Sequence, residues 1–182
     1  MKRKLCPKII VSTVFFASIA PVIAQADSVT VTGGTIHFDG MVVAAACSVS
    51  SDSRDQSITL SQIRTERLKS KGERGHQPEG FNIKLEDCDT TVSNNAQVTF
   101  NGQADPDETG ALQNTAGAGA AANVALRLYD MKGSVLNLGT ASPAYPLING
   151  ENTLPFTVDY LATGAATAGL VQATATFNVT YS

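Results

Sequence analysis

Basic side chains are scarce in this sequence, with 13 Lys and Arg against 16 Asp and Glu, and four of the 13 crowd into the start as Lys2, Arg3, Lys4 and Lys8. Without those four, nine basic residues face 16 acidic ones, a net charge of −7. That balance argues against nucleic-acid binding, which needs a cationic surface to displace counterions. Histidine occurs twice, as His37 and His76, and neither lies near a nucleophile motif such as G-x-S-x-G, so both read as surface or structural residues. No G-x-x-x-x-G-K-[ST] loop is present to cradle phosphate. The acidic turn at Asp105, Asp107 and Glu108 lacks the ligand spacing of a calcium-binding EF-hand and reads as a solvated turn. The expectation is no enzyme, no metal and no cofactor.

What is present begins with an export leader. A basic start precedes an apolar stretch from Ile9 to Ile23 that is broken by Pro21 and too short to be a convincing membrane span. Ala24-Gln25-Ala26 then offers small residues where a signal peptidase inspects, which predicts cleavage after Ala26 and removal of residues 1–26. Cys6 lies ahead of the apolar stretch and leaves with the leader. The remaining 156 residues suit one domain with a proper core. Cys47 and Cys88 then stand in an oxidising compartment, where a disulfide is the default reading. A two-thiolate metal site lacks the close Cys and His spacings that zinc uses.

Period-two patterning dominates and sustained helical periodicity is almost missing, so the chain reads as all-β. Strands are predicted over Ile36–Val49, Ser57–Leu60, Phe81–Glu86, Ala96–Asn101, Val124–Asp130, Ser134–Leu138, Asn152–Leu161 and Leu170–Tyr181, with a two-sheet sandwich as the architecture. Asp105-Pro106-Asp107-Glu108 with Gly110 carries turn chemistry, and Asn149-Gly150 is a hairpin signal. Ala116–Ala122, all Ala and Gly, reads as loop. Arg64–His76 is the one charged stretch and reads as a solvated loop with room for one helical turn. No internal repeat is visible. The sequon Asn178-Val179-Thr180 lies inside a predicted strand and is set aside.

The two ends do not balance. Ala175, Phe177, Val179 and Tyr181 alternate strictly with polar residues, and the sequence stops one residue later at Ser182. A strand so placed leaves a free edge, and exposed edges invite pairing with another chain. At the other end Asp27–Thr35 holds Val29 and Val31 among threonines, followed by Gly33-Gly34, and has no obvious place inside the domain. Its apolar phase is odd-numbered whereas Ile36 and Phe38 continue on even numbers, a slip that two glycines absorb because neither carries a Cβ. An arm without a place and an edge without a neighbour suggest a polymer in which the first fills the second, a head-to-tail contact that makes a filament.

At this point the sequence resembles the chaperone-usher pilins, and within them the major subunit of type 1 fimbriae. The matching stretches are Val31–Val49 (VTGGTIHFDGMVVAAACSV), Gly80–Thr90 (GFNIKLEDCDT), Asn123–Asp130 (NVALRLYD), Asn152–Tyr160 (NTLPFTVDY) and Leu161–Ser182 (LATGAATAGLVQATATFNVTYS). The resemblance implies an incomplete Ig-like β-sandwich lacking its last strand and spanning residues 36–182, with residues 27–35 as the donor-strand extension. It implies a structural role in a cell-surface fimbria that supports adhesion, with identical or related subunits as partners. A periplasmic chaperone would lend the missing strand, and at an outer-membrane usher the next subunit's extension would replace it.

Residue by residue, Cys47 and Cys88 match the family's single disulfide, and Gly33 and Gly34 match the glycine pair of the donor segment. Val29, Val31, Ile36 and Phe38 are the donor side chains expected to insert. Tyr181 matches the penultimate tyrosine that the chaperone pairs with, and the Ser182 carboxylate matches the terminus it anchors. Ala175, Phe177 and Val179 complete the acceptor edge. The loop from Thr65 to Glu79 departs from the pattern by its high charge. A minor or adaptor subunit with a direct receptor-binding role is the alternative reading; an added lectin domain has no room in this length.

Overall fold

The computed structural model describes residues 31–42 and 45–182. The expected leader, its cleavage point and Val29 lie outside the described residues, as do positions 43 and 44. The chain divides into two units, Met1–Gly40 and Met41–Ser182. In the first, residues 31–40 carry no regular secondary structure and are exposed.

The second unit is a β-sandwich. Its larger sheet contains β1 (Ser48–Val49), β2 (Glu79–Cys88), β8 (Gly150–Ala162), β5 (Val124–Tyr129) and β4 (Leu112–Gln113) in that order, with β6 (Val135–Leu136) also on β5. The smaller sheet runs β7 (Tyr145–Pro146), β3 (Asn95–Gly102), β9 (Ala175–Tyr181). Every pairing between these strands is antiparallel. Ile83 and Leu85 of β2, Leu154, Phe156 and Val158 of β8, and Val98 and Phe100 of β3 point inward at alternate positions and are buried. Phe100 meets Phe156 edge-on at 5.0 Å between ring centroids, and Phe81 stacks beside Phe156 at 5.9 Å. These rings join the two sheets.

On β8 and β5 the outward face is covered as well. Asp159 is fully buried although it points away from the sandwich core. Its carboxylate accepts main-chain N–H groups from His76 at 3.0 Å, Gln77 at 3.4 Å and Tyr160 at 2.9 Å. Main-chain bonds from Gly72 to Ala162 and from Gly75 to Tyr160 lay residues 72–75 beside β8, ahead of β2. His76, at φ 53°, breaks the ladder there, and Asp159 satisfies the amides that the break frees. A Cβ on Gly75 would sit 2.6 Å from the Asp159 Oδ1, so glycine is what allows the approach. The Arg74 guanidinium lies 4.0 Å over the Tyr129 ring. Leu68 is buried in the core.

Most predicted strands stand close to their expected places, and several features differ. Of Ile36–Val49 only Ser48–Val49 is a strand, because among the described residues Ile36, Phe38 and Met41 are exposed and lie in no ladder. Ser57–Leu60 is not a strand; among the described residues no main-chain pair involves it. The last predicted strand begins at Ala175 rather than Leu170, since residues 163–174 form a loop that bonds back to 114–121. Asn149-Gly150 does not close a hairpin. The chain there leaves β7 in one sheet and enters β8 in the other, with Gly150 at φ 89°.

Ala116–Ala122 is loop, as expected. The charged stretch holds a 3₁₀ turn over Thr65–Arg67, but Leu68, Arg74 and Asp159 pin it as a strap. The four-residue helix α1 (Ser51–Arg54) and the short strands β4 and β7 carried no sequence pattern long enough to read.

Candidate functional site

One end of each sheet borders the same opening in the sandwich. Among the described residues β9 pairs only with β3, and β1 only with β2. Between them lies a groove of about 1230 Å³ whose floor reaches Ile83, Phe100, Leu128 and Val158. Ala175, Phe177, Val179 and Tyr181 line one wall, with Thr174 and Thr176 also bordering it. These side chains are half-buried or exposed, not sealed. Ser182 stands apart from them: its N–H and C=O both pair with Asn95 on β3.

The opposite wall was not foreseen as such. It is formed by Val49 and by the segment around Ile58 and Leu60. That segment was expected to be a strand; Ser57, Ile58 and Thr59 are exposed, Leu60 is half-buried, and among the described residues it joins no ladder. Leu60 packs on the core while Ile58 stays 40 % exposed. Gln56 ties one end by donating to the Asn82 carbonyl at 2.8 Å, and Glu79 holds the other by accepting the Ser61 N–H and hydroxyl. Two main-chain edges, residues 57–60 and the side of β9 turned away from β3, therefore face one another across an apolar floor.

The ends of the groove are fixed by covalent and polar contacts. Cys47 and Cys88 are joined in a disulfide, which ties the chain ahead of β1 to the end of β2. The Tyr181 hydroxyl donates to the Cys47 carbonyl at 3.2 Å. Burial raises the Tyr181 phenol above its ordinary pKa, so it stays a neutral donor at physiological pH.

Of the side chains expected to act as donors, Val31 is 80 %, Ile36 75 % and Phe38 89 % exposed. A Cβ placed on Gly33 or Gly34 would meet nothing within 4 Å. His37 and His76 are both exposed. The acidic turn is committed elsewhere. Asp105 is buried and its carboxylate accepts the Asp107 and Glu108 amides, and Glu108 pairs with Arg127 at 2.9 Å and Lys71 at 3.5 Å.

An Ig-like sandwich that lacks one edge strand, with an apolar groove open in the gap, defines a class of protein: the subunits of surface fibres. Comparison with known proteins gives the family. The model of the fimbrial protein family matches residues 36–182. The type-1 fimbrial protein C chain of Escherichia coli is 47 % identical over 96 % of this chain and 98 % of its own length. The type-1 fimbrial protein A chain of Escherichia coli strain K12 is 45 % identical with both chains fully covered. Among solved structures, a chain of a chaperone-usher pilus aligns with TM-score 0.70 at 28 % identity, covering 86 % of this chain and all of that one. The P pilus rod subunit PapA aligns with TM-score 0.63 at 26 % identity over 76 % of this chain and all of that one.

The chain belongs to the fimbrial protein family and is a structural subunit of a type 1-like fimbria. That family is structural rather than catalytic. End-to-end matches to fimbrial chains do not favour the alternative of an adaptor with its own receptor-binding role.

Proposed function

We propose that this subunit polymerises by donor-strand exchange: residues 27–35, continued by Ile36 and Phe38, leave one subunit and fill the groove of the next. The observation that supports this most is the pair of open main-chain edges, residues 57–60 and the free side of β9, over an apolar floor. A β-strand laid there gains main-chain bonds on both sides, and every second side chain enters the core. β9 is seven residues long, as is Val29–Thr35. Each of Val29, Val31, Ile36 and Phe38 that becomes fully buried adds roughly 1.5–3 kcal/mol. Gly33 and Gly34 let the main chain approach where a Cβ would collide and absorb the phase change between odd and even positions.

Before assembly the groove is a liability, because an open edge over apolar surface aggregates. A periplasmic chaperone that lends a strand to β9, paired through Tyr181 and anchoring the Ser182 carboxylate, answers that need. An outer-membrane usher is then where exchange takes place, after export guided by residues 1–26. The test is deletion of residues 27–35. The shortened subunit is expected to be captured by chaperone and to form no fibre, read by co-purification and electron microscopy. Fibres formed by the deleted subunit would refute the reading.

A further inference from the structure

The charged strap is left unused by strand exchange. Its anchors consume Lys71, Glu73 and Arg74: Lys71 bonds Glu108 and the Asp107 carbonyl, Glu73 accepts the Lys69 and Ser70 amides, and Arg74 lies against Asp159 and Tyr129. Arg64, Arg67 and Lys69 remain exposed on this pinned loop, and among the described residues only Arg64 has an ion pair, with Glu66. Five of the nine basic residues beyond the leader lie between positions 64 and 74, so the rest of the subunit is strongly acidic.

The acidic charge is not spread evenly. Glu86 and Asp87 lie at the end of β2, Asp89 just follows it, and Glu151 stands at the start of β8 beside them, where Cys88 is in register with Gly150. None of these four has an ion pair among the described residues, and the only base near them on β2 is Lys84. Thr91 holds the Asp89 carboxyl below its usual pKa through its hydroxyl and its amide, so it stays ionised. Residues 72–75 lie against the far end of β8, at 160–162. The strap and the acidic cluster are thus at opposite ends of the same strands, about 30 Å apart.

The polymer makes this polarity matter. The Ala46 carbonyl accepts the Asp89 amide, so the start of the domain lies at the acidic end. In the acceptor, Tyr181 places the end of β9 near Cys47, and the loop before Ala175 meets the strap where the Ala166 amide bonds the Leu68 carbonyl. A donor running antiparallel to β9, the more stable pairing, finishes at the Ala175 end. It therefore brings the acidic end of its own subunit to the basic strap of the acceptor. We infer that the strap, through Arg67 and Lys69, is a docking surface for a second copy of this chain, receiving its Glu86–Glu151 end and steering successive subunits into register. This rests on the donor-strand reading.

The test compares whole subunits with a synthetic peptide of residues 28–38, which carries the donor side chains and no acidic residue. The Arg67→Glu, Lys69→Glu acceptor is expected to associate with whole subunits roughly tenfold more slowly at low ionic strength and at the ordinary rate in high salt. Its rate with the peptide stays that of the unaltered acceptor. A donor subunit carrying Glu86→Lys and Glu151→Lys restores the lost rate. Equal whole-subunit rates at low salt, with the peptide inserting normally, overturn the inference and leave strand exchange standing. A variant that polymerises normally but loses binding to a sulfated polysaccharide also overturns it, assigning the strap to a polyanion. Failure of both peptide and subunit to insert removes the donor-strand reading itself, and the docking surface with it.

Discussion

The Tyr181 hydroxyl and the Cys47 carbonyl, 134 positions apart in sequence, meet at 3.2 Å and tie β9 to the chain ahead of β1. The bond spans the groove at one end and holds its two walls at a fixed separation. Tyr181→Phe keeps the ring packing and leaves the carbonyl without this donor, so stability is expected to fall by about 1 kcal/mol in urea unfolding. An unchanged midpoint would show that the bond contributes nothing.

Three phenols give the subunit an alkaline limit. Burial is the main cause that raises Tyr129, Tyr160 and Tyr181 above the ordinary 10.0, with Asp159 adding to the rise at Tyr160. A raised value means the folded state favours the neutral phenol. That stability is fully present below the unfolded pKa and is lost as pH climbs through it toward the folded value. Denaturant midpoints are expected to be level from neutral pH to about 9 and to fall above 10, less steeply in Tyr181→Phe.

Asp159 is a buried carboxylate that satisfies the amides of the strap. Asp159→Ala strands those amides and leaves Arg74 without its partner, with an expected loss of about 3 kcal/mol. Asp159→Asn keeps an accepting oxygen and should lose less. Equilibrium unfolding separates the two, and faster hydrogen exchange at Gly75 and His76 in the alanine variant would locate the damage.

Reduction, or the pair Cys47→Ser and Cys88→Ser, opens a loop of about 42 residues and is expected to lower stability by roughly 4 kcal/mol on the chain-entropy view. Parallel unfolding with and without reductant measures it. The damage should fall first on β1, whose only ladder is its short pairing with β2.

How much was legible in advance depended on the kind of interaction. The inward faces of β2, β3, β8 and β9 were readable because alternation is a local property, and the disulfide because only Cys47 and Cys88 follow the stretch expected to be a leader. Ser57–Leu60 misled for the same reason: alternation names a face, not a neighbour, and here the main chain has none. Asn149-Gly150 had turn chemistry, yet the chain enters the other sheet, where β8 pairs with β2 with Cys88 opposite Gly150 and Leu85 opposite Asn152. The solvated character expected of residues 64–76 failed at Leu68 and Arg74, whose partners lie far along the chain.

By itself the sequence determined a β-class domain, its cross-link, its acidic balance and two apolar segments without evident partners, since these follow from composition and short-range periodicity. Only the tertiary structure decided that β9 and residues 57–60 flank one groove, that Asp159 straps a charged loop to β8, and that opposite charges gather at opposite ends. Those arrangements depend on which distant segments share a strand register, and no local pattern encodes that choice.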